Sequence, residues 1–122
     1  DTLFTIWFAL FGQTIHIRQT TTTAYEDVRQ AIIREFKADA PTALAIAKCE
    51  SNFRPNAVGD HGNSIGVMQI NKAHFPKIPG KTIEEKKLWL MNFQNNIKLG
   101  KQIWSTSGFW PWTCYRLLFA SK

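Results

Sequence analysis

Glu50 is the residue of this chain whose position best suits acid catalysis. It stands in the stretch KCESNFRPNAVGD, residues 48–60, where an apolar helical pattern gives way to turn-forming residues. A carboxylate in the last turn of a helix faces the negative end of the helix dipole, and apolar neighbours further disfavour its charged form. Both effects raise the pKa, so Glu50 could hold a proton for general acid cleavage of a glycosidic bond. A solvated glutamate at a helix end is the competing interpretation.

A second acid close to Glu50 is hard to find. Asp60 follows ten residues later, inside a turn-rich loop, and no further acid occurs before Glu84. Most glycosidases need two carboxyl groups about 5 to 9.5 Å apart, one as acid and one as nucleophile or base. Either one acid is enough for the reaction, or Asp60 positions a water molecule.

The elements around Glu50 are predicted to be mainly helices. Thr23 with Glu26, and Thr82 with Glu85, are capping-box pairs that mark two helix starts. An apolar stripe of Val28, Ile32 and Phe36 follows the first of them at helical spacing. The predicted helices cover residues 24–38, 39–52, 82–91 and 93–104, the last ending near Gly108, with a short helix in the tail. Residues 54–64 are a predicted loop, and SIGVMQIN, residues 64–71, is either a strand or the first turn of a helix.

The first residues of the chain differ in character from the rest. LFTIWFALF, residues 3–11, is apolar but too short for the roughly 20 residues of a bilayer-spanning helix. It fits the remnant of a signal or membrane anchor, and a strand or short helix packed on the domain is the alternative. Because the threonines of residues 20–23 indicate a linker, we expect an N-terminal segment over residues 1–23 and a folded domain over residues 24–122.

Composition narrows the classes of partner. The 122 residues carry a formal net charge of +6, which favours nucleic acid, anionic lipid or an acidic cell wall. No helix-turn-helix, RRM or zinc-finger signature is present, so nucleic acid is not expected. Asp60, His61 and His74 fit no zinc spacing, and no metal or cofactor is expected. Cys49 and Cys114 form no CxxC pair, which leaves a disulfide or two free thiols.

The stretch ESNFRPNAVGDHGNSIGVMQIN, residues 50–71, resembles the signature of the lytic transglycosylases of the lysozyme superfamily. A later Asn-Ile-x-x-Gly segment of that family resembles Asn96, Ile97 and Gly100. KCES together with SGFWPWTC resembles the resuscitation-promoting factor domain, in which the corresponding cysteines are paired. That second resemblance implies a disulfide between Cys49 and Cys114.

The resemblance implies a mainly α, lysozyme-like domain with a substrate cleft and at most a small β element. It implies that Glu50 is the catalytic acid and later the base, cutting the β-1,4 bond between N-acetylmuramic acid and N-acetylglucosamine and leaving 1,6-anhydro ends. The partner would be the glycan strands of peptidoglycan, met by a monomer outside the cytoplasm, with a tether to the membrane through the apolar start. The implied substrate-binding residues are Ser51, Gly66, Met68, Gln69 and Asn96.

The chain also departs from the family pattern. An Ala-Tyr-Asn-Ala-Gly segment and a later tyrosine near the catalytic glutamate have no match, and Trp104 and Tyr115 are the candidates to replace that contact. Trp110 and Trp112 either stack on sugar faces or pack the tail against the core. A hydrolysing muramidase and a non-catalytic peptidoglycan-binding module therefore stay open as alternative functions.

Overall fold

The computed structural model describes the backbone of residues 3–10 and 13–20 and the full structure of residues 23–120. Within these ranges the predicted fold class is confirmed, because helices dominate and the strands beyond residue 23 form one small sheet. The α-helices are α1 Ala24–Phe36, α2 Ala40–Ser51, α3 Ile83–Met91, α4 Phe93–Ser107 and α5 Thr113–Tyr115, which a π-helix, Arg116–Ala120, follows. Short 3-10 helices cover Lys37–Asp39, Asp60–Gly62 and Lys72–Lys77.

Side-chain caps fix where the helices begin. The hydroxyl of Thr23 accepts the backbone N–H of Glu26 at 3.1 Å, and Thr82 does the same for Glu85 at 3.1 Å, so both predicted caps are confirmed. Asn92 caps α4 through the backbone N–H of Asn95 at 3.0 Å. Each of these caps satisfies a backbone donor that the first helical turn leaves without a partner.

The core lies between α1, α2 and α4. Val28, Ile32 and Phe36 are buried, as the apolar stripe predicts. On the other side of the core, Ile97 and Ile103 of α4 are buried as well. Lys101 fixes α4 to the end of α1, because its ammonium donates to the backbone carbonyl of Glu35 at 2.7 Å. The packed helices hold the end of α2, and therefore Glu50, against the rest of the domain.

A small antiparallel sheet follows α2. It contains β3 Val58–Gly59, β4 Ser64–Ile65 and β5 Ile70–Asn71, in the order β3-β4-β5. Ser64 pairs with Asn71, and Ile65 pairs with Ile70. The segment SIGVMQIN is thus a hairpin, two short strands joined by a turn over residues 66–69. The sequence could not distinguish this arrangement from a helical turn because each strand is only two residues long.

The N-terminal residues form a separate antiparallel pair of strands, β1 Leu3–Leu10 and β2 Gln13–Thr20. Their register runs from Leu3 opposite Thr20 to Leu10 opposite Gln13. Thr20 therefore ends a strand and Thr23 caps α1, while the rest of the predicted linker, residues 21–22, lies outside the described ranges, as does residue 11. Across the described residues, no helix has both the length and the apolar character that a membrane crossing requires. The division at residue 23 and the tether stay predictions.

Candidate active site

A cavity of about 420 Å³ opens between the end of α2, the small sheet and the segment that leads into α5. We call it the Glu50 cavity. Its lining consists of Glu50, Asp60, Ser64, Gln69, Ile70, Asn71, His74, Ile103, Pro111, Trp112 and Thr113. Polar side chains from the sheet face an aromatic and aliphatic wall from the tail, which is the mixture that ligand sites use.

Glu50 occupies the last turn of α2, where the sequence predicts it. The helix ends at Ser51, because Asn52 adopts the left-handed conformation with φ 53°. The Glu50 carboxyl is half-buried, and burial raises its pKa above the ordinary value. The backbone N–H of Cys114 and the positive charge of Arg116 offset part of that rise. A carboxyl in this environment keeps its proton to a higher pH than a solvated glutamate does.

The predicted disulfide between Cys49 and Cys114 is present. It joins the end of α2 to α5 across 65 residues of sequence. The Sγ atom of Cys114 lies 3.2 Å from Oε1 of Glu50, a contact without a hydrogen bond because a disulfide sulfur carries no proton. The covalent link therefore lies directly beside the candidate acid and fixes the distance between α2 and the aromatic tail.

Ser51 is buried, with 2% of its surface exposed, so its side chain does not reach the cavity. Its hydroxyl lies 2.6 Å from the backbone carbonyl of Val67 and 3.2 Å from that of Ala47. The bond to Val67 ties the end of α2 to the turn between β4 and β5. Ser51 thus connects the helix that carries Glu50 to this turn, residues 66–69, which we call the floor of the site.

Asn96 of α4 is fully buried, and its side chain forms hydrogen bonds with the same turn. Its Oδ1 accepts the backbone N–H of Met68 at 2.9 Å, and its Nδ2 donates to the carbonyls of Ile65 at 2.8 Å and Leu90 at 3.0 Å. Gly66, with φ +83°, makes room for this amide, because a Cβ there would collide with Asn96 Nδ2. The side chain of Asn96 therefore holds the turn and does not line the Glu50 cavity.

Met68 is also fully buried, and its side chain packs against Gly100 of α4. Its backbone carbonyl accepts the indole N–H of Trp112 at 2.8 Å. This bond fixes Trp112, itself only 4% exposed, as part of the cavity wall. Met68 thus contributes to the site through its main-chain carbonyl, which links the turn over residues 66–69 to Trp112.

Gln69 is the predicted substrate-binding residue whose side chain lines the cavity. Its Nε2 donates to the carbonyls of Ala57 at 3.2 Å and Gly66 at 3.0 Å. The backbone of Gln69 has φ 50°, a left-handed conformation that turns the chain from the floor into β5. Gly59 allows the close approach, because a Cβ there would collide with Gln69 Oε1. The amide is held in one orientation at the cavity edge.

Asp60 lines the same cavity as Glu50. Its backbone has φ 51° and starts the 3-10 helix Asp60–Gly62. Asn71 Nδ2 donates to Asp60 Oδ2 at 3.3 Å and to Ser64 Oγ at 3.3 Å. The exposed carboxylate is therefore positioned by a side chain of β5, in a segment that the sequence predicts only as a loop.

The aromatic residues divide between cavity wall and core. Trp104 and Tyr115, the sequence candidates for the missing tyrosine contact, both pack on Phe109, and neither belongs to the lining of the Glu50 cavity. Trp112 does line it, whereas Trp110 is 61% exposed. The packing of the C-terminal tail against α4 decides which aromatic ring lines the Glu50 cavity.

Several lining residues were not predicted as part of the site. Asn71 and Ser64 lie within the stretch that carries the family resemblance, so the motif itself was a usable signal for them. The sequence presents His74 only as a possible metal ligand. In the structure His74 is half-buried in the cavity wall, and burial, followed by the charge of Lys77, lowers its pKa. Ile103 and Thr113 reach the wall only through tertiary packing.

Within residues 23–120, no three histidine, cysteine or acidic side chains cluster as a metal site would require.

Part of the chain is similar in sequence to known proteins. Similar sequences include the Invasion protein IagB of Salmonella typhimurium, in strains SL1344 and LT2, and of Salmonella typhi. Each is 33% identical over 69 residues, which cover 54% of this chain and 43% of the relative. The match thus spans less than half the length of these relatives. No solved structure shows significant similarity.

The family model described as the transglycosylase SLT domain matches residues 27–106, a range that includes Glu50, the small sheet and Asn96. The chain belongs to the transglycosylase SLT domain family.

Proposed function

We propose that the chain cleaves the glycan strands of peptidoglycan as a lytic transglycosylase, with Glu50 acting first as acid and then as base. The observation that carries the proposal is the position of Glu50. Its half-buried carboxyl, whose pKa is raised, lines a cavity of about 420 Å³ in a chain of the SLT family. That volume lies within the range of ligand pockets, about 300 to 1,000 Å³.

In the first step, protonated Glu50 donates its proton to the oxygen between N-acetylmuramic acid and N-acetylglucosamine. The bond from that oxygen to C1 of the muramic acid breaks, and positive charge develops at C1. The acetamido oxygen of the same sugar stabilises this centre, so a second protein carboxylate is not required. The raised pKa of Glu50 supports this step because the acid must be protonated before it reacts.

In the second step, Glu50 is a carboxylate and serves as the base. It takes the proton from the C6 hydroxyl of the muramic acid, and the C6 oxygen forms a bond to C1. The product is a 1,6-anhydro end, Glu50 is protonated again, and no water is consumed. The charge of Arg116, which favours the ionised form of Glu50, supports the carboxylate between the two steps.

The roles we propose for the surrounding residues follow from their placement. Gln69, held at the cavity edge, contacts the sugar chain through its amide. The buried side chains of Ser51, Met68 and Asn96 shape the floor that carries Gln69. Gly66 contributes the space that the amide of Asn96 occupies.

A hydrolytic muramidase is the second candidate, and the placement of Asp60 favours it. Asp60 lines the Glu50 cavity and accepts a hydrogen bond from Asn71, so it could orient a water molecule toward C1. The two reactions differ in their product, a 1,6-anhydro end against a reducing end. Asp60→Asn separates them, since it should abolish a hydrolytic reaction and leave anhydro product formation largely intact.

Wall clearing tests the central assignment. The protein should lower the turbidity of a peptidoglycan suspension, and Glu50→Gln should slow clearing by about 100-fold or more because it removes the proton donor. Glu84→Gln is the matched control, since Glu84 is exposed on α3 and should leave the rate unchanged. Clearing by Glu50→Gln at the parent rate would exclude Glu50 as the acid. A binding module without activity would clear nothing in either form.

The proposed place of action is outside the cytoplasmic membrane. Peptidoglycan lies there, and the disulfide between Cys49 and Cys114 needs an oxidising compartment to persist. The formal charge of +6 suits an anionic wall. We further propose that the chain works as a monomer without a cofactor.

A further inference from the structure

His74 is a titratable side chain of the Glu50 cavity that the proposed reaction does not use. It lies half-buried in the cavity wall, in the 3-10 helix that follows β5. The chain is fixed on both sides of it. Asn71 caps this helix, because its Oδ1 accepts the backbone N–H of Ala73 at 3.1 Å. Phe75, which follows His74, is buried in the core. The main chain therefore holds the imidazole at the cavity.

Four of the residues that line the cavity carry a side-chain N–H, namely Gln69, Asn71, His74 and Trp112. Three of them use their hydrogens within the protein. Gln69 donates its amide hydrogens to two backbone carbonyls, at 3.2 and 3.0 Å. Asn71 donates its amide hydrogens to two side chains of the same lining, each at 3.3 Å. The indole N–H of Trp112 donates to the carbonyl of Met68 at 2.8 Å.

The imidazole of His74 forms no hydrogen bond or ion pair with the part of the chain that the structure describes. That part also contains no fully buried side-chain nitrogen without a partner, so both ring nitrogens reach solvent. Burial, followed by the charge of Lys77, lowers the pKa of His74, and the ring is neutral at pH 7. A neutral imidazole offers one N–H donor and one bare nitrogen as acceptor. His74 is thus the lining residue whose side-chain N–H is left for a ligand.

The neutral state of His74 indicates the chemistry of that ligand. A charged imidazolium would suit an anionic group, but burial disfavours the charged form. A neutral N–H suits an uncharged acceptor, and each sugar of the proposed substrate carries one in its acetamido carbonyl. Such a carbonyl needs a donor when the sugar leaves water. In the proposed reaction the acetamido group of the muramic acid turns toward its own C1, so the group left for His74 belongs to the neighbouring sugar.

We infer that His74 donates its imidazole N–H to the acetamido carbonyl of an N-acetylglucosamine unit of the bound glycan strand, an inference that rests on the proposed function. The bare ring nitrogen accepts a hydroxyl of the same strand. His74 is therefore a substrate-binding residue that selects N-acetylated sugars, and it takes no part in the proton transfers of Glu50.

Binding of chitohexaose, the β-1,4-linked hexamer of N-acetylglucosamine, tests the inference by isothermal titration calorimetry. Every protein in the test carries Glu50→Gln, which removes the proposed acid, and the protein with this change alone is the reference. His74→Leu keeps a similar volume without an N–H and should raise Kd about threefold to tenfold, the effect of one neutral hydrogen bond. His74→Gln supplies an amide N–H and should keep Kd within about twofold of the reference.

His61→Leu is the matched control, because His61 is exposed and does not line the cavity, and Kd should stay at the reference value. Thermal unfolding of each variant verifies that it is folded. Cellohexaose has the same linkage with hydroxyls in place of the acetamido groups, and it should bind the reference protein more weakly than chitohexaose does.

Several results would overturn the inference. They are an absence of chitohexaose binding, equal binding of the two hexamers, an unchanged Kd in His74→Leu, and an equal loss in His61→Leu. A loss in His74→Gln as large as in His74→Leu would also do so, because the ring would then only fill space.

Wall clearing by the protein with Glu50 intact is measured separately, so the inference and the proposed function can fail independently. If walls are cleared but Kd does not depend on His74, cleavage stands and the role of His74 is wrong. If Kd depends on His74 as expected but no wall is cleared, the sugar contact stands and the proposed cleavage fails.

Discussion

At the scale of single residues, the proposed chemistry depends on the protonation of Glu50. Burial in the cavity wall raises its pKa, while the main chain of Cys114 and the charge of Arg116 act in the opposite direction. In the proposed reaction the same carboxyl gives a proton and takes one back within a turnover. A carboxyl whose burial is partly balanced by a cation suits both steps, because burial favours the protonated acid and the cation favours the carboxylate.

The raised pKa has a consequence for stability. A carboxyl that binds its proton more tightly in the folded state stabilises the fold at low pH, and this stability is lost as pH rises through the folded pKa. Glu50→Gln cannot ionise, so it should unfold at a higher Tm than the parent at pH 7, with the difference disappearing below about pH 4. Thermal unfolding followed by circular dichroism from pH 4 to pH 8 measures this difference. A Tm of Glu50→Gln at or below the parent value at pH 7 would show that burial does not disfavour the Glu50 charge.

At the scale of elements, the site depends on how α2, the β4–β5 turn and α4 are joined. Asn96 alone satisfies one backbone donor and two backbone acceptors of neighbouring segments. Ser51 joins the same turn to α2. Buried polar groups of this kind are costly to leave without partners, so the network keeps the floor in one conformation.

Removing the Asn96 amide should therefore destabilise the fold. Asn96→Ala removes three buried hydrogen bonds to the main chain, and we expect a loss of about 2 to 4 kcal/mol in the free energy of unfolding. Urea denaturation measures it, with Gln94→Ala, an exposed position of the same helix, as the control expected to change stability by less than about 0.5 kcal/mol. Equal stability of the two variants would contradict the role assigned to Asn96.

The disulfide joins α2 to a further element of the site, α5. Closing a loop of 65 residues stabilises the fold by about 4 kcal/mol in the chain-entropy model. Cys49→Ser/Cys114→Ser should lose up to that amount in urea denaturation, and wall clearing should slow because Glu50 loses the neighbour at 3.2 Å. Dithiothreitol should reproduce the loss in the parent and leave the double variant unchanged. A parent that keeps its full stability when reduced would argue against this contribution.

The elements also show what could be predicted from the sequence. Helix starts at Thr23 and Thr82 follow from local capping chemistry, and Glu50 was placed at its helix end by the switch from apolar residues to turn formers. The disulfide came from a resemblance and not from spacing. The inward orientation of Ser51 and Met68, the hairpin at residues 64–71 and the arrival of Trp112 at the wall were not predictable. The hairpin could not be distinguished from a helical turn because each of its strands has only two residues. The other two placements depend on packing between segments distant in sequence, which local patterns do not encode.

At the scale of the whole molecule, the surplus of positive charge bears on how the protein approaches the proposed substrate. A formal charge of +6 attracts an anionic wall before any specific contact forms. The attraction is screened by salt, because the Debye length is about 10 Å at 0.1 M ionic strength.

Salt should accordingly slow the proposed cleavage of intact walls. Raising the salt concentration from 50 mM to 300 mM should lower kcat/KM about threefold to tenfold, mainly through slower association. Initial rates of wall clearing across this range give the slope. Arg34→Gln/Lys98→Gln, with two positive charges fewer, should show a shallower slope than the parent. Rates that do not change with salt would remove long-range attraction from the account.

The product of cleavage in water enriched in oxygen-18 tests the central claim most directly. Mass spectrometry of muropeptides released by the parent should show 1,6-anhydro ends without the heavy isotope, and Glu50→Gln should release almost none. Reducing ends that carry oxygen-18 would establish hydrolysis, and their loss in Asp60→Asn would assign the water to Asp60. Release of the same muropeptides by Glu50→Gln at the parent rate would contradict the account, because Glu50 would then not be the acid.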